Sequence, residues 1–135
     1  LGEQFDEAEK LAAWYTKVFG ARFYLEIQNA GFEIQTRCAE RTIDLATKMG
    51  LPLVATNDAH YLDQKDAAVQ DVLLCVNTKS ERSDTNRMRM DSDQLFIRTP
   101  DQMYAAFPDH AEAVARSQAI ADRVGVIARG QILLV

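Results

Sequence analysis

Cysteine is scarce in this chain: Cys38 and Cys75 are the only two in 135 residues, and they form no CxxC. Both fall within helix-like patterns, which reads as two buried free thiols of a reducing compartment. A cytoplasmic protein without disulfides is therefore expected. An excess of positive charge is also missing, with 15 Lys+Arg against 20 Asp+Glu and a net charge of -5. Affinity for nucleic acid rests mainly on cationic contacts to phosphates, so the chain alone should not grip DNA or RNA strongly. No apolar run approaches bilayer-spanning length and no signal-peptide pattern opens the chain, so no membrane role is expected. There is no Walker loop, G-x-G-x-x-G, G-x-S-x-G or H-E-x-x-H, which leaves glycine-loop nucleotide binding and elbow-type serine hydrolysis without support. Repeats, low-complexity segments and flexible linkers are absent as well.

What is there suits one modest α/β domain with a real core: 47% hydrophobic and 26% charged residues. Phe5, Ala8, Leu11, Ala12, Tyr15, Val18 and Phe19 share one helical face, with acids at the start, Lys17 near the end and Gly20 just beyond. Residues 22–28 then alternate as a strand, with Phe23, Leu25 and Ile27 on one face and Tyr24, Glu26 and Gln28 on the other. After a turn at Asn29-Ala30-Gly31, helical spacing resumes through Ile34, Cys38, Leu45, Ala46 and Met49 until Gly50. An apolar strand follows, Leu53 to Thr56. Strand, helix and strand in that order predict a βαβ unit with parallel strands and a right-handed connection.

From Asp63 a third helix is expected, burying Ala68, Val69, Val72, Leu73 and Val76. Thr78 to Ser92 reads as a solvated loop, because four cations (Lys79, Arg82, Arg87 and Arg89) face four acids in and beside it. The close trio Arg82, Arg87 and Arg89 still has the chemistry to hold a phosphate or an acidic neighbour. Residues 94–98 suggest a short extended piece. Thr99-Pro100-Asp101-Gln102 is a strong helix start, with a hydroxyl cap, proline at the first position and glutamine at the third. Asp109-His110-Ala111-Glu112 begins a last helix to about Arg123, before Gly125, with His110 read as an exposed helix residue. The chain opens on Leu1 and stops on the apolar Ile132-Leu133-Leu134-Val135, which reads as a piece of a longer protein.

The chemistry concentrates in Leu53-Val54-Ala55-Thr56-Asn57-Asp58-Ala59-His60-Tyr61. A strand ends in an aspartate and a histidine two residues apart, and residues at that spacing project from the same face of an extended segment. Asp58 and His60 can thus aim a carboxylate oxygen and an imidazole nitrogen into one pocket at the strand's carboxyl end, where α/β proteins place their chemistry. Carboxylate plus imidazole is an ordinary ligand set for zinc, manganese or iron. On spacing alone a second reading stands beside it, with Asp58 capping the following turn and His60 at the surface.

Phe23 to Gln28, Gly50 to Tyr61, Asp71 to Val76, Asn86-Arg87-Met88-Arg89 and Thr99 to Met103 occur in an order that resembles a known family. It is the PHP (polymerase and histidinol phosphatase) domain of bacterial family C replicative DNA polymerases, the alpha subunits of DNA polymerase III. The resemblance implies the carboxyl-terminal part of a distorted seven-stranded (β/α) barrel. Residues 1–78 would be barrel, 79–98 a loop and short extended segment, and 99–135 a helical end leading toward the polymerase palm. It also implies a cluster of divalent metal (zinc, manganese or magnesium) in the full-length protein, with Asp58 and His60 as ligands. Glu26 and Gln28 match a recurrent strand of the family, which gives them either a supporting position around the site or a structural polar contact. The family's upstream H-x-H and later ligands have no counterpart here. With His60 and His110 as the only histidines, the cluster cannot be completed, so the segment alone should be inactive and hold metal weakly or not at all. The implied activities are DNA synthesis by the full-length protein and 3'-to-5' exonuclease proofreading by the PHP site. The implied partners are DNA, a proofreading exonuclease subunit and the sliding clamp. A purely structural or docking PHP module and a free-standing PHP phosphatase are the alternatives. A parallel sheet edge left open by missing strands invites self-association.

Overall fold

The computed structural model describes residues 4–124. Leu1, the Gly125 stop and the apolar run Ile132–Val135 lie outside the described residues, as does the carboxyl-terminal end of the 99–135 segment. The first helix, α1 (Phe5–Phe19), opens with Asp6 and Glu7 and closes with Lys17, charges that complement the helix dipole. Gly20 ends it at φ +54°, its amide donating to the Thr16 carbonyl. Strand β1 covers only Leu25–Gln28, shorter than the alternation from residue 22 suggested, because Gly20–Arg22 form a 3-10 turn. Pairing begins where a partner is available: the Leu25 amide donates to the Pro52 carbonyl at 2.9 Å.

Helix α2 (Glu33–Met49) stops at Gly50, which takes the left-handed conformation (φ +64°) and donates its amide to the Ala46 and Thr47 carbonyls. Strand β2 (Leu53–Thr56) then pairs parallel with β1, with Leu25 opposite Leu53 and Ile27 opposite Ala55. The expected parallel strand-helix-strand unit is therefore present. Among the described residues the sheet has these two strands, order β1-β2. Further along come α3 (Ala67–Thr78), α4 (Pro100–Ala106) and α5 (Ala111–Val124). None of these helices is long and apolar enough to cross a membrane.

The register decides the core. Ile27, Leu53 and Ala55 lie on one face of the sheet, where they pack with Ala46 of α2, Phe107, and Ala113 and Val114 of α5; Leu25, Ile43 and Met103 border them. Arg116 reinforces the α5 contact by donating to the Leu53 carbonyl at 2.6 Å. Helix α4 begins as its sequence dictates. The Thr99 hydroxyl accepts from the Gln102 amide at 3.3 Å, the Gln102 carboxamide accepts from the Thr99 amide at 2.8 Å, and Pro100 follows the cap.

Three burial expectations are corrected. Cys38 is exposed, whereas Cys75 is buried, and both are free thiols. On α3 the expected face is the exposed one: Val69, Val72, Leu73 and Val76 are 59%, 42%, 51% and 68% accessible, Ala68 is also exposed, and Leu74 and Cys75 are buried instead. Periodicity finds an apolar stripe but not whether anything covers it, and among the described residues this stripe is uncovered. His110 precedes α5 and is half-buried, not fully exposed. Its carbonyl accepts from the Ala113 and Val114 amides, and Nδ1 lies 3.8 Å from Glu112 Oε1.

Truncating the centre of the core should be far costlier than removing a cap. Ile27→Ala should destabilise the fold by about 2–5 kcal/mol and Thr99→Ala by about 1 kcal/mol, read as shifts in chemical denaturation midpoints. A midpoint for Ile27→Ala within error of the parent would contradict this core.

Candidate functional site

Past Thr56 the chain leaves the sheet, and a second set of backbone bonds directs it. The His60 amide donates to the Leu95 carbonyl at 2.8 Å, and the Ile97 amide donates to the Tyr61 carbonyl at 3.1 Å. The Leu95 amide in turn donates to the Tyr61 hydroxyl at 3.3 Å. Tyr61 and Phe96 form an isolated parallel bridge. Asn57 joins from its side chain, Nδ2 donating to the carbonyls of Phe96 at 2.6 Å and Gln94 at 3.3 Å. Leu95 and Phe96, which anchor this strap, are buried. The extended piece expected at residues 94–98 thus serves as the wall against which the β2 exit loop is fixed.

Asp58 and His60 are carried by that loop. Asp58 Oδ2 and His60 Nε2 lie 3.2 Å apart, with side chains 56% and 32% accessible. Two ligand atoms bound in cis at about 2.0–2.2 Å from one metal are themselves separated by roughly 3–3.5 Å. The pair therefore fits part of a coordination shell, and an anionic oxygen with an imidazole nitrogen is a suitable donor set for a divalent ion. Among the described residues no group of three or more His, Cys, Asp or Glu side chains could hold a metal ion. Two donors alone leave such a shell incomplete.

Glu26 and Gln28 lie on the sheet face opposite the core, alternating with Leu25 and Ile27. The Thr56 hydroxyl donates to Glu26 Oε1, and Gln28 Nε2 reaches Thr56 Oγ1 at 3.3 Å and Glu26 Oε1 at 3.4 Å. Gln35 of α2 closes the group by donating to Gln28 Oε1 at 3.4 Å. This polar network runs along the strand pair up to Thr56, two residues before Asp58.

The arginine trio behaves differently. Arg87 makes a two-pronged ion pair with Asp71 of α3, at 2.6 and 2.8 Å, and only 2% of its side chain is accessible. Arg82 adds its Nε at 3.4 Å from the same carboxylate. The Arg87 hydrogen bonds, aided by the charges of Arg87, Arg82 and Arg89, hold the Asp71 carboxyl below its usual range. The same contact raises Arg87. Arg87 thus pins the 79–92 loop onto α3. Asp71 was not singled out in the sequence, because the partners are 16 residues apart and on no shared element. Asn57 was missed for a similar reason: the strap joins segments 39 residues apart. His110, with Glu112 and Arg116, lines an open cleft of about 580 Å³ beside Gly50–Leu53, at the opposite end of β2 from Asp58.

No family model matches the chain. Among curated proteins it is similar to the DNA polymerase III subunit alpha of Borreliella burgdorferi, 36% identical over 123 residues, which is 91% of this chain and 11% of that protein. The Treponema pallidum subunit alpha is 39% identical over 121 residues, 89% of this chain and 10% of that protein. The Thermus aquaticus subunit alpha is 37% identical over 109 residues, 81% of this chain and 9% of that protein. The chain therefore spans about a tenth of the length of the curated relatives it matches.

The Asp71 ion pair has a pH signature. Its folded carboxyl titrates below the ordinary value of 3.8, so its contribution to stability is complete above that value and is lost as pH falls through the depressed one. Urea denaturation between pH 7 and pH 2 should show this acid limb in the parent and a shallower one in Asp71→Asn. Superimposable limbs would contradict the pairing.

Proposed function

The chain belongs to the DNA polymerase III alpha-subunit family as one stretch of its length, and we propose that it is the carboxyl-terminal part of that subunit's PHP barrel. In this reading the parallel β1–β2 pair is a piece of the barrel wall, with the polar face of Glu26, Gln28 and Thr56 turned to the barrel interior. Helices α2 and α5 cover the outside. The observation that carries the reading is the convergence of Asp58 Oδ2 and His60 Nε2 at 3.2 Å, beyond the carboxyl end of a parallel strand.

Asp58 would hold a divalent ion (zinc, manganese or magnesium) as an anion, and His60 would do so as a neutral imidazole. The remaining ligands would come from parts of the subunit outside this chain. A bound ion would supply a water of lowered pKa and a clamp for phosphate oxygens. Phosphoester hydrolysis is the matching chemistry, with 3'-to-5' removal of misincorporated nucleotides as its role beside DNA synthesis by the whole subunit. Glu26 and Gln28 would line the approach. DNA, a proofreading exonuclease subunit and the sliding clamp are the partners of the whole subunit in a cytoplasmic replicase. The short segment is net acidic and would not hold nucleic acid strongly by itself, and its open sheet edges would favour self-association.

A second reading, in which the PHP module mainly docks other parts of the replicase, draws on the uncovered stripe of Val69, Val72, Leu73 and Val76 on α3. A free-standing phosphatase lacks comparable support, since the relatives reported above are all named as polymerase subunits.

In the full-length subunit, His60→Ala should lower the bound divalent metal and remove any 3'-to-5' hydrolysis by this domain, while nucleotide addition changes within about threefold. Metal analysis of purified protein is the decisive readout. An unchanged metal content in His60→Ala would remove His60 from the ligand set.

A further inference from the structure

Asn57 stands immediately before the Asp58–His60 pair, and the proposed chemistry gives it no task. Its carboxamide is held asymmetrically. Nδ2 donates to two backbone carbonyls of the facing segment, Phe96 at 2.6 Å and Gln94 at 3.3 Å. Oδ1 is buried and has no partner among the described residues. Two carbonyl acceptors fix the orientation, because a flipped amide would set oxygen against oxygen at both contacts. Asn57 is therefore a directed clamp, and its side chain acts where the backbone ladder has not yet begun. The first backbone bonds of the strap come at His60 and Tyr61, to Leu95. Among the described residues, the Asn57 side chain alone bonds the stretch between Thr56, the last residue of β2, and His60 to the facing segment.

We propose that Asn57 is a positioning residue for the metal-binding pair: by clamping the β2 exit onto residues 94–96 it sets the direction from which the Asp58 carboxylate meets the His60 imidazole. The inference rests on the metal reading of Asp58 and His60. A clamp on one side and the His60–Leu95 bond on the other bracket Asp58 and Ala59, so a backbone shift that carries Asp58 away from His60 strains one of them. Removing the amide leaves Asp58 between the end of β2 at Thr56 and the His60–Leu95 bond, with the bond from the Ala59 amide to the Asn57 carbonyl (3.0 Å) remaining inside the loop. Groups that orient metal ligands without touching the metal commonly change affinity by about 10- to 100-fold when lost.

The test uses the metal-stripped full-length subunit titrated with Co2+, read by the visible absorption of the bound ion. Asn57→Ala should raise the Co2+ Kd about tenfold or more and change the absorption envelope, and His60→Ala should weaken Co2+ binding further. A spectrum and Kd for Asn57→Ala within twofold of the parent would overturn the inference even if the melting temperature fell, since a merely structural clamp lowers stability without altering the affinity of folded molecules. If Asn57→Ala does not fold, Asn57→Gln decides: it retains the amide but displaces it by one methylene, and parent-like Co2+ binding would again overturn the proposal. Loss of Co2+ binding in His60→Ala with none in Asn57→Ala rejects the Asn57 role alone. Intact binding in both rejects the metal reading on which it rests.

Discussion

The register of one parallel strand pair governs this structure. Leu25 against Leu53 and Ile27 against Ala55 place four apolar side chains on one face, and Glu26 and Gln28 with Thr56 on the other. Because side chains alternate with period two, a slip of one residue in either strand would turn its apolar side chains away from the core and its polar ones into it. The covering helices then follow from the face they must cover. Helix α2 connects the strands, and α5 adds Ala113 and Val114 to the same apolar layer.

From that register the position of the candidate site follows in two steps. The sheet delivers the chain to Thr56, and the strap against residues 94–97 turns it, so that Asp58 and His60 end with their polar atoms in contact. Neither step uses the Asp58 or His60 side chain. The site is built on backbone pairing and one carboxamide clamp, and the carboxylate and the imidazole meet each other at 3.2 Å. A separate device, the Asp71–Arg87 pair, ties the long 79–92 loop to α3. Arg87 is thereby occupied inside the fold by a carboxylate of the same chain.

The elements most legible in the sequence were those specified locally. The capping signature at Thr99 gave the start of α4, glycines marked the ends of α1 and α2, and the strand-helix-strand order gave the parallel pair. The D-x-H spacing pointed to Asp58 and His60 for the same reason, since the geometry of two residues in an extended segment needs no distant partner. What escaped was non-local. The α3 stripe looked buried because an apolar period carries no information about what lies against it. Cys38 looked buried for the same reason. The roles of Asn57 and Asp71 depend on bonds across 39 and 16 residues, which no periodicity reports.

The central claim is that Asp58 and His60 present their polar atoms to one shared metal ion in the full-length subunit. Anomalous diffraction from crystals of that protein, collected at the absorption edge of the metal it retains, tests this most directly. The account predicts an anomalous peak with an Asp58 carboxylate oxygen and a His60 ring nitrogen both within about 2.0–2.3 Å of it. A metal peak that leaves both side chains unbound, or their hydrogen bond intact beside a site formed wholly by other residues, would contradict it.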